Sequence, residues 1–68
     1  MNINTLIAYE SGELNDAEIL NFFADLIKTN MAWSLQGHYG RTAHSLIEQG
    51  FISPTGEVTE LANEMFNQ

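Results

Sequence analysis

The chain predicts an all-α fold: one domain over residues 1–68, a compact bundle of four to five short helices with a helix-turn-helix-like pair. At most a tiny β-hairpin near residues 51–58 interrupts it. Three observations carry this expectation. Apolar residues recur at helical spacing in most segments. Asn, Thr and Gly bracket those segments where helices start and stop. Apolar residues make up 44% of 68 residues, and with no cysteine to form disulfides a core of this size must come from packed side chains.

The opening stretch "INTLIAYESGEL" places Ile3, Leu6 and Ile7 on one helical face, with Gly12 as its stop. "NDAEILNFFADLIKTN" is the clearest element. Ile19, Phe22, Phe23, Leu26 and Ile27 follow the i, i+3, i+4, i+7, i+8 pattern of an amphipathic helix. Asn15 is its N-cap, Asp16 and Glu18 suit the positive end of the helix dipole, and Lys28 suits the negative end. Asn30 can take the left-handed conformation just beyond. "MAWSLQ" is a short helical piece. "YGRTAHSLIEQG" follows, with Tyr39, Ala43, Leu46 and Ile47 on one face and Gly50 as the stop. "FISPTGEV" has turn chemistry, and Phe51–Ile52 can pair briefly with Glu57–Val58. In "VTELANEMFNQ" Thr59 is the N-cap, and Val58, Leu61, Ala62, Met65 and Phe66 form the inward stripe.

Composition removes several function classes. No run approaches the roughly 20 apolar residues of a membrane span. The N-terminus lacks the basic and apolar regions of a signal peptide, so a cytoplasmic protein is expected. Nine acidic residues face only Lys28 and Arg41, giving a net charge of −7. That balance opposes ordinary nucleic-acid binding and docking on anionic lipid. It suits solubility, a basic partner, or mimicry of nucleic-acid charge. Much of it has a plain structural use: Asp16, Glu18, Glu57 and Glu60 lie at or near helix starts, where each carboxylate contributes roughly 0.3–1 kcal/mol.

No catalytic, metal or cofactor constellation emerges. His44 and Ser45 are neighbours, but adjacent helical residues point apart. His44 and Glu48 are one turn apart, a spacing typical of surface pairs, and no third member completes a triad. His38 and His44 lie six residues apart on different helical faces, and no HExxH motif is present. "GHYG" has the two-glycine spacing of an RNA-clamping loop but lacks the surrounding cations. A non-enzymatic chain is therefore expected.

The spacing around "GHYG" is more informative. Trp33, Gly37, Ala43 and Leu46 reproduce the anchor positions of a helix-turn-helix, with Gly37 in the turn. Trp33 stands where a small residue is usual, and Ala32 is one position out of register. The second helix offers one Arg and one Glu on its outer face, so DNA recognition is the weaker reading of this topology. Arg41 sits in the first turn of that helix, where a cation opposes the dipole and favours a nearby anion. The expected partner is a carboxylate of this chain, Glu10 or Glu13; the alternative is an anion on another molecule. Trp33 and Tyr39 are core residues by spacing, and interface anchors if either is exposed.

The stretches "LIAYESGEL" and "MAWSLQGHYGRTAHSLIEQGFI", about half of the chain, resemble a family of small bacteriophage-encoded proteins of unknown function. Its pattern is "LIAxExGEL" followed by "AWxLQGxYGRxAxxLIExG". The resemblance implies a phage accessory product in the cytoplasm of a bacterial host, with no activity to carry over. Small proteins of that kind often bind host enzymes, although family alone does not fix function. The expectation is action by protein–protein contact with a host or phage protein, with self-association as a further option. The surface comprises Trp33, Gln36, His38, Tyr39, Arg41 and His44. A helix-turn-helix regulator of transcription and an acidic nucleic-acid mimic are the alternatives.

Overall fold

A computed structural model describes residues 3–35 and 37–66. Among the described residues four helices occur in chain order: α1 (Ile3–Glu10), α2 (Asp16–Lys28), α3 (Gly37–Glu48) and α4 (Glu60–Phe66). A single 3-10 turn, Met31–Trp33, lies between α2 and α3. The all-α expectation holds. The hairpin reduces to one antiparallel bridge, Ile52 to Val58, with Ser53 N–H donating to Glu57 C=O at 2.8 Å.

The centre of the molecule is α2. Its start is fixed by a reciprocal capping box: Asn15 Oδ1 accepts the Glu18 N–H at 2.8 Å, and Glu18 Oε1 accepts the Asn15 N–H at 2.9 Å. Such a cap contributes about 1 kcal/mol. The helix buries Leu20, Phe22, Phe23, Ala24, Leu26 and Ile27. Phe23, Leu26 and Ile52 are the largest fully enclosed side chains. Asn30, at φ 63°, then turns the chain left-handed into the 3-10 segment.

Helix α1 departs from its expected orientation. Ile3 and Ile7 point outward, 67% and 56% exposed, while Leu6 and Tyr9 are half-buried against the core. The Tyr9 ring decides the rotation. It stacks on Phe22 at 5.0 Å between centroids and meets the edge of Phe23 at 5.3 Å, and an aromatic ring removes more apolar surface from water than an isoleucine. Helix α4 splits in the same way. Ala62 is buried, and Phe66 meets Phe51 edge-on at 5.3 Å, but Leu61 and Met65 are 46% and 63% exposed. Thr59 caps α4 as expected: its hydroxyl accepts the Ala62 N–H at 3.2 Å and donates to Gly50 C=O at 2.5 Å.

The turn preceding α4 docks on α2 through Gly56. This glycine is buried, its φ is +95°, and a Cβ there would lie 2.6 Å from Lys28 N and 2.7 Å from Ala24 O. Only glycine admits both the backbone conformation and the close approach. The helix-turn-helix-like pair is also corrected. Its first member is one 3-10 turn, and Gly37 is the first residue of α3 instead of part of a turn. Ala32 is fully buried and takes the interior position, which leaves Trp33 outside. The register follows size, since the small residue fits the close contact and the indole does not.

Candidate functional site

Helix α3 presents two chemically distinct faces. The inner face holds Tyr39 and Ala43, both buried. Tyr39 joins Tyr9, Phe22 and Phe23 in one aromatic cluster, with centroids 5.8, 6.5 and 6.3 Å from its own ring. Its hydroxyl donates to the Glu10 carboxylate and so ties α3 to the end of α1. Burial, then the hydrogen bond to Glu10 and the charge on Glu10, push the Tyr39 pKa up to about 12. Tyr39 is thus 3% exposed and leaves the expected partner surface. The cluster gains more from enclosing the ring than water would from solvating it, because the one polar atom has a carboxylate to bond.

The Glu10 contact also answers the question posed by Arg41. Glu10, one of the two carboxylates expected to hold the guanidinium, accepts from the Tyr39 hydroxyl. Among the described residues Arg41 makes no ion pair with Glu10 or Glu13. Its side chain is exposed and folds back over the start of α3, so that a Cβ on Gly37 would lie 3.0 Å from Arg41 Nη1.

The other expected residues divide by position. Trp33 is 51% exposed, and its indole runs alongside Gly40: a Cβ on Gly40 would lie 3.8 Å from Trp33 Cε3. Gly37, Arg41, His44 and Glu48 recur at three- and four-residue intervals and form the outer row of α3. His44 Nε2 lies 3.4 Å from Glu48 Oε1, with both side chains 68% exposed. That is a solvated surface pair. His38 is exposed on the opposite flank, its ring 4.1 Å from that of Tyr39. Gln36 lies outside the described residues. The structure therefore puts Arg41 and His44 on the outer face of α3, leaves Trp33 half-exposed against Gly40, places His38 to one side and encloses Tyr39.

The Ser45 hydroxyl accepts from Gln49 Nε2 at 2.8 Å, one helical turn further along. No group of three or more His, Asp or Glu among the described residues is placed to hold a metal ion. A groove of about 300 Å³ between α2 and the 53–57 turn is lined by Asn21, Ala24, Asp25, Lys28, Glu57 and Val58. Lys28 Nζ bridges to Glu57 at 3.7 Å there, and the groove holds no histidine or hydroxyl nucleophile. No described helix is long and apolar enough to cross a membrane.

Sequence reasoning missed Glu10 as the partner of Tyr39, because 29 residues separate them and no local pattern links them. It also missed the exposure of Leu61 and Met65, which only the placement of α4 reveals. Compared with protein families, residues 2–68 match the one described as Domain of unknown function (DUF7417). Neither the curated proteins nor the solved structures contain a match to the chain.

Proposed function

The chain belongs to the DUF7417 family, a domain of unknown function, and we propose that it acts without catalysis, by protein–protein contact through the outer side of α3. In this reading it is a bacteriophage accessory protein that works in the cytoplasm of its host and binds a host or phage protein. The resemblance of "LIAYESGEL" and "AWSLQGHYGRTAHSLIEQG" to small phage-encoded proteins is what supports the origin. One observation carries the surface: Trp33 is half-exposed against Gly40 of the same helix that presents an exposed Arg41, which among the described residues makes no ion pair with Glu10 or Glu13. Trp and Arg are the residue types that most often dominate interface energetics. His44 extends the same surface. Direct nucleic-acid recognition is disfavoured, because the outer row of α3 sets Arg41 against Glu48 in a chain of net charge −7.

The test is affinity capture from bacterial lysate with wild type, Trp33→Ala, Arg41→Ala and the buried control Tyr39→Phe, each checked for helicity by circular dichroism. A hot-spot anchor is worth about 2 kcal/mol or more, so Trp33→Ala should weaken capture by roughly thirtyfold. Arg41→Ala should weaken it too, and Tyr39→Phe should capture as wild type does. If folded Trp33→Ala and Arg41→Ala retain the wild-type partner at full strength, this surface is not the binding site.

A further inference from the structure

Helix α4 carries a second exposed apolar surface, with Leu61 Cδ2 resting 3.5 Å from where a Cβ on Gly50 would lie and the rest open, and its charge selects what fits it. Leu61 and Met65 are one helical turn apart, 46% and 63% exposed. Glu60 and Glu64, also one turn apart and exposed, form a parallel row directly beside them. Ala62 and Phe66, the residues after Leu61 and Met65, turn inward and hold the helix against the core. Segment 57–66 contains three glutamates and no cation, and among the described residues neither Glu60 nor Glu64 is in an ion pair. Lys28 is drawn to Glu57, not to α4.

We propose that this side of α4 is a docking surface for a basic amphipathic helix of another protein, whose apolar residues cover Leu61 and Met65 while its Lys or Arg residues face Glu60 and Glu64. Two apolar side chains at i and i+4 are the spacing that a helical partner reads. The adjacent carboxylate row specifies the sign of the partner's charge and speeds encounter with it. A second copy of this chain does not meet that requirement. Two antiparallel α4 helices would set Glu60 and Glu64 against their own counterparts, within a pair of molecules each at −7. The exposed Ile3 and Ile7 of α1 have no equivalent row: Glu10, the one carboxylate of α1, bonds to Tyr39.

The probe is a synthetic Lys/Leu amphipathic peptide of about five helical turns, followed by fluorescence anisotropy at low salt. An acidic Glu/Leu peptide of the same apolar pattern is the comparison. The proteins are full-length wild type, Leu61→Ser/Met65→Ser, Glu60→Gln/Glu64→Gln, and Glu13→Gln/Asp16→Asn, which makes the same charge change at the start of α2. The basic peptide should bind wild type and the acidic one should not. The apolar double variant should bind more than about tenfold more weakly. The Glu60/Glu64 variant should lose about fivefold to tenfold, and the Glu13/Asp16 variant less than twofold. Amide chemical-shift changes in wild type should centre on residues 57–66, a readout that does not depend on any variant folding. Equal losses from both charge variants, shift changes centred elsewhere, or no binding by wild type would each overturn the proposal. So would a wild-type dimer in sedimentation that Leu61→Ser/Met65→Ser abolishes, since the occupant would then be a second copy.

Discussion

Helices α1 and α2 carry the same kind of apolar signal and meet different fates. Each shows isoleucine and leucine or phenylalanine at three- and four-residue spacing. In α2 the pattern reads true, because other elements surround the helix: α1 and the aromatic ring of Tyr39 on one side, the 3-10 turn on another, and the 53–57 turn at its C-terminal half. In α1 two isoleucines of the pattern stand in water. A helix with a single main neighbour must choose which apolar residues to bury, and α1 buries Tyr9 and Leu6. Periodicity thus identifies an apolar stripe, while the number of neighbours decides how much of it is covered.

The sharpest way to break this comparison is a truncation within α2. Phe23 is fully enclosed, so Phe23→Ala should cost about 3–5 kcal/mol. For a domain this small, that is most of the available stability. Urea titration followed by circular dichroism should find the variant largely unfolded in water.

The cover over the C-terminal half of α2 gives the next largest effect. Gly56→Ala forces a side chain into a left-handed backbone with Cβ 2.6 Å from Lys28 N. The backbone strain alone should cost about 1–3 kcal/mol, and the contact with main-chain atoms adds to it. The same urea titration should show a midpoint well below that of wild type. A midpoint equal to wild type would mean that the 53–57 turn does not hold α2.

Tyr39→Phe removes the bond that ties α1 to α3 without emptying the core. It should cost about 1 kcal/mol and raise amide hydrogen exchange chiefly in α1. The pH dependence has a definite sign. The Tyr39 pKa rises from 10.0 to about 12 on folding, so the neutral phenol contributes stability that is complete below pH 10 and is lost as pH climbs through about 12. Unfolding midpoints measured across that window should fall more steeply for wild type than for Tyr39→Phe. The smallest effect belongs to α1's outer face: Ile7→Ser, at a position 56% exposed, should change stability by no more than about 0.5 kcal/mol. A loss comparable to that of Phe23→Ala would show that α1 is covered in solution.

The candidate site was legible in part. Arg41 and His44 follow from their place opposite Tyr39 and Ala43 on one amphipathic helix. The pairing of His44 with Glu48 follows from their spacing. Trp33 and Tyr39 were not separable by sequence, since both are aromatics flanking a glycine-rich stretch. Their opposite burial depends on Ala32 docking in place of Trp33, and on Glu10 arriving from another helix to satisfy the Tyr39 hydroxyl.

The sequence by itself determined most of the helix ends, the start of α3 at Gly37 excepted. Asn15, Asn30, Gly50 and Thr59 act through bonds and dihedral angles within a few residues of their own position. Only the tertiary structure decided which side of α1 and α4 faces inward, which aromatic is enclosed, and that Arg41 has no carboxylate of α1 to hold it. Those outcomes depend on competition between distant groups for the same space and the same polar partner, a competition that no local pattern records.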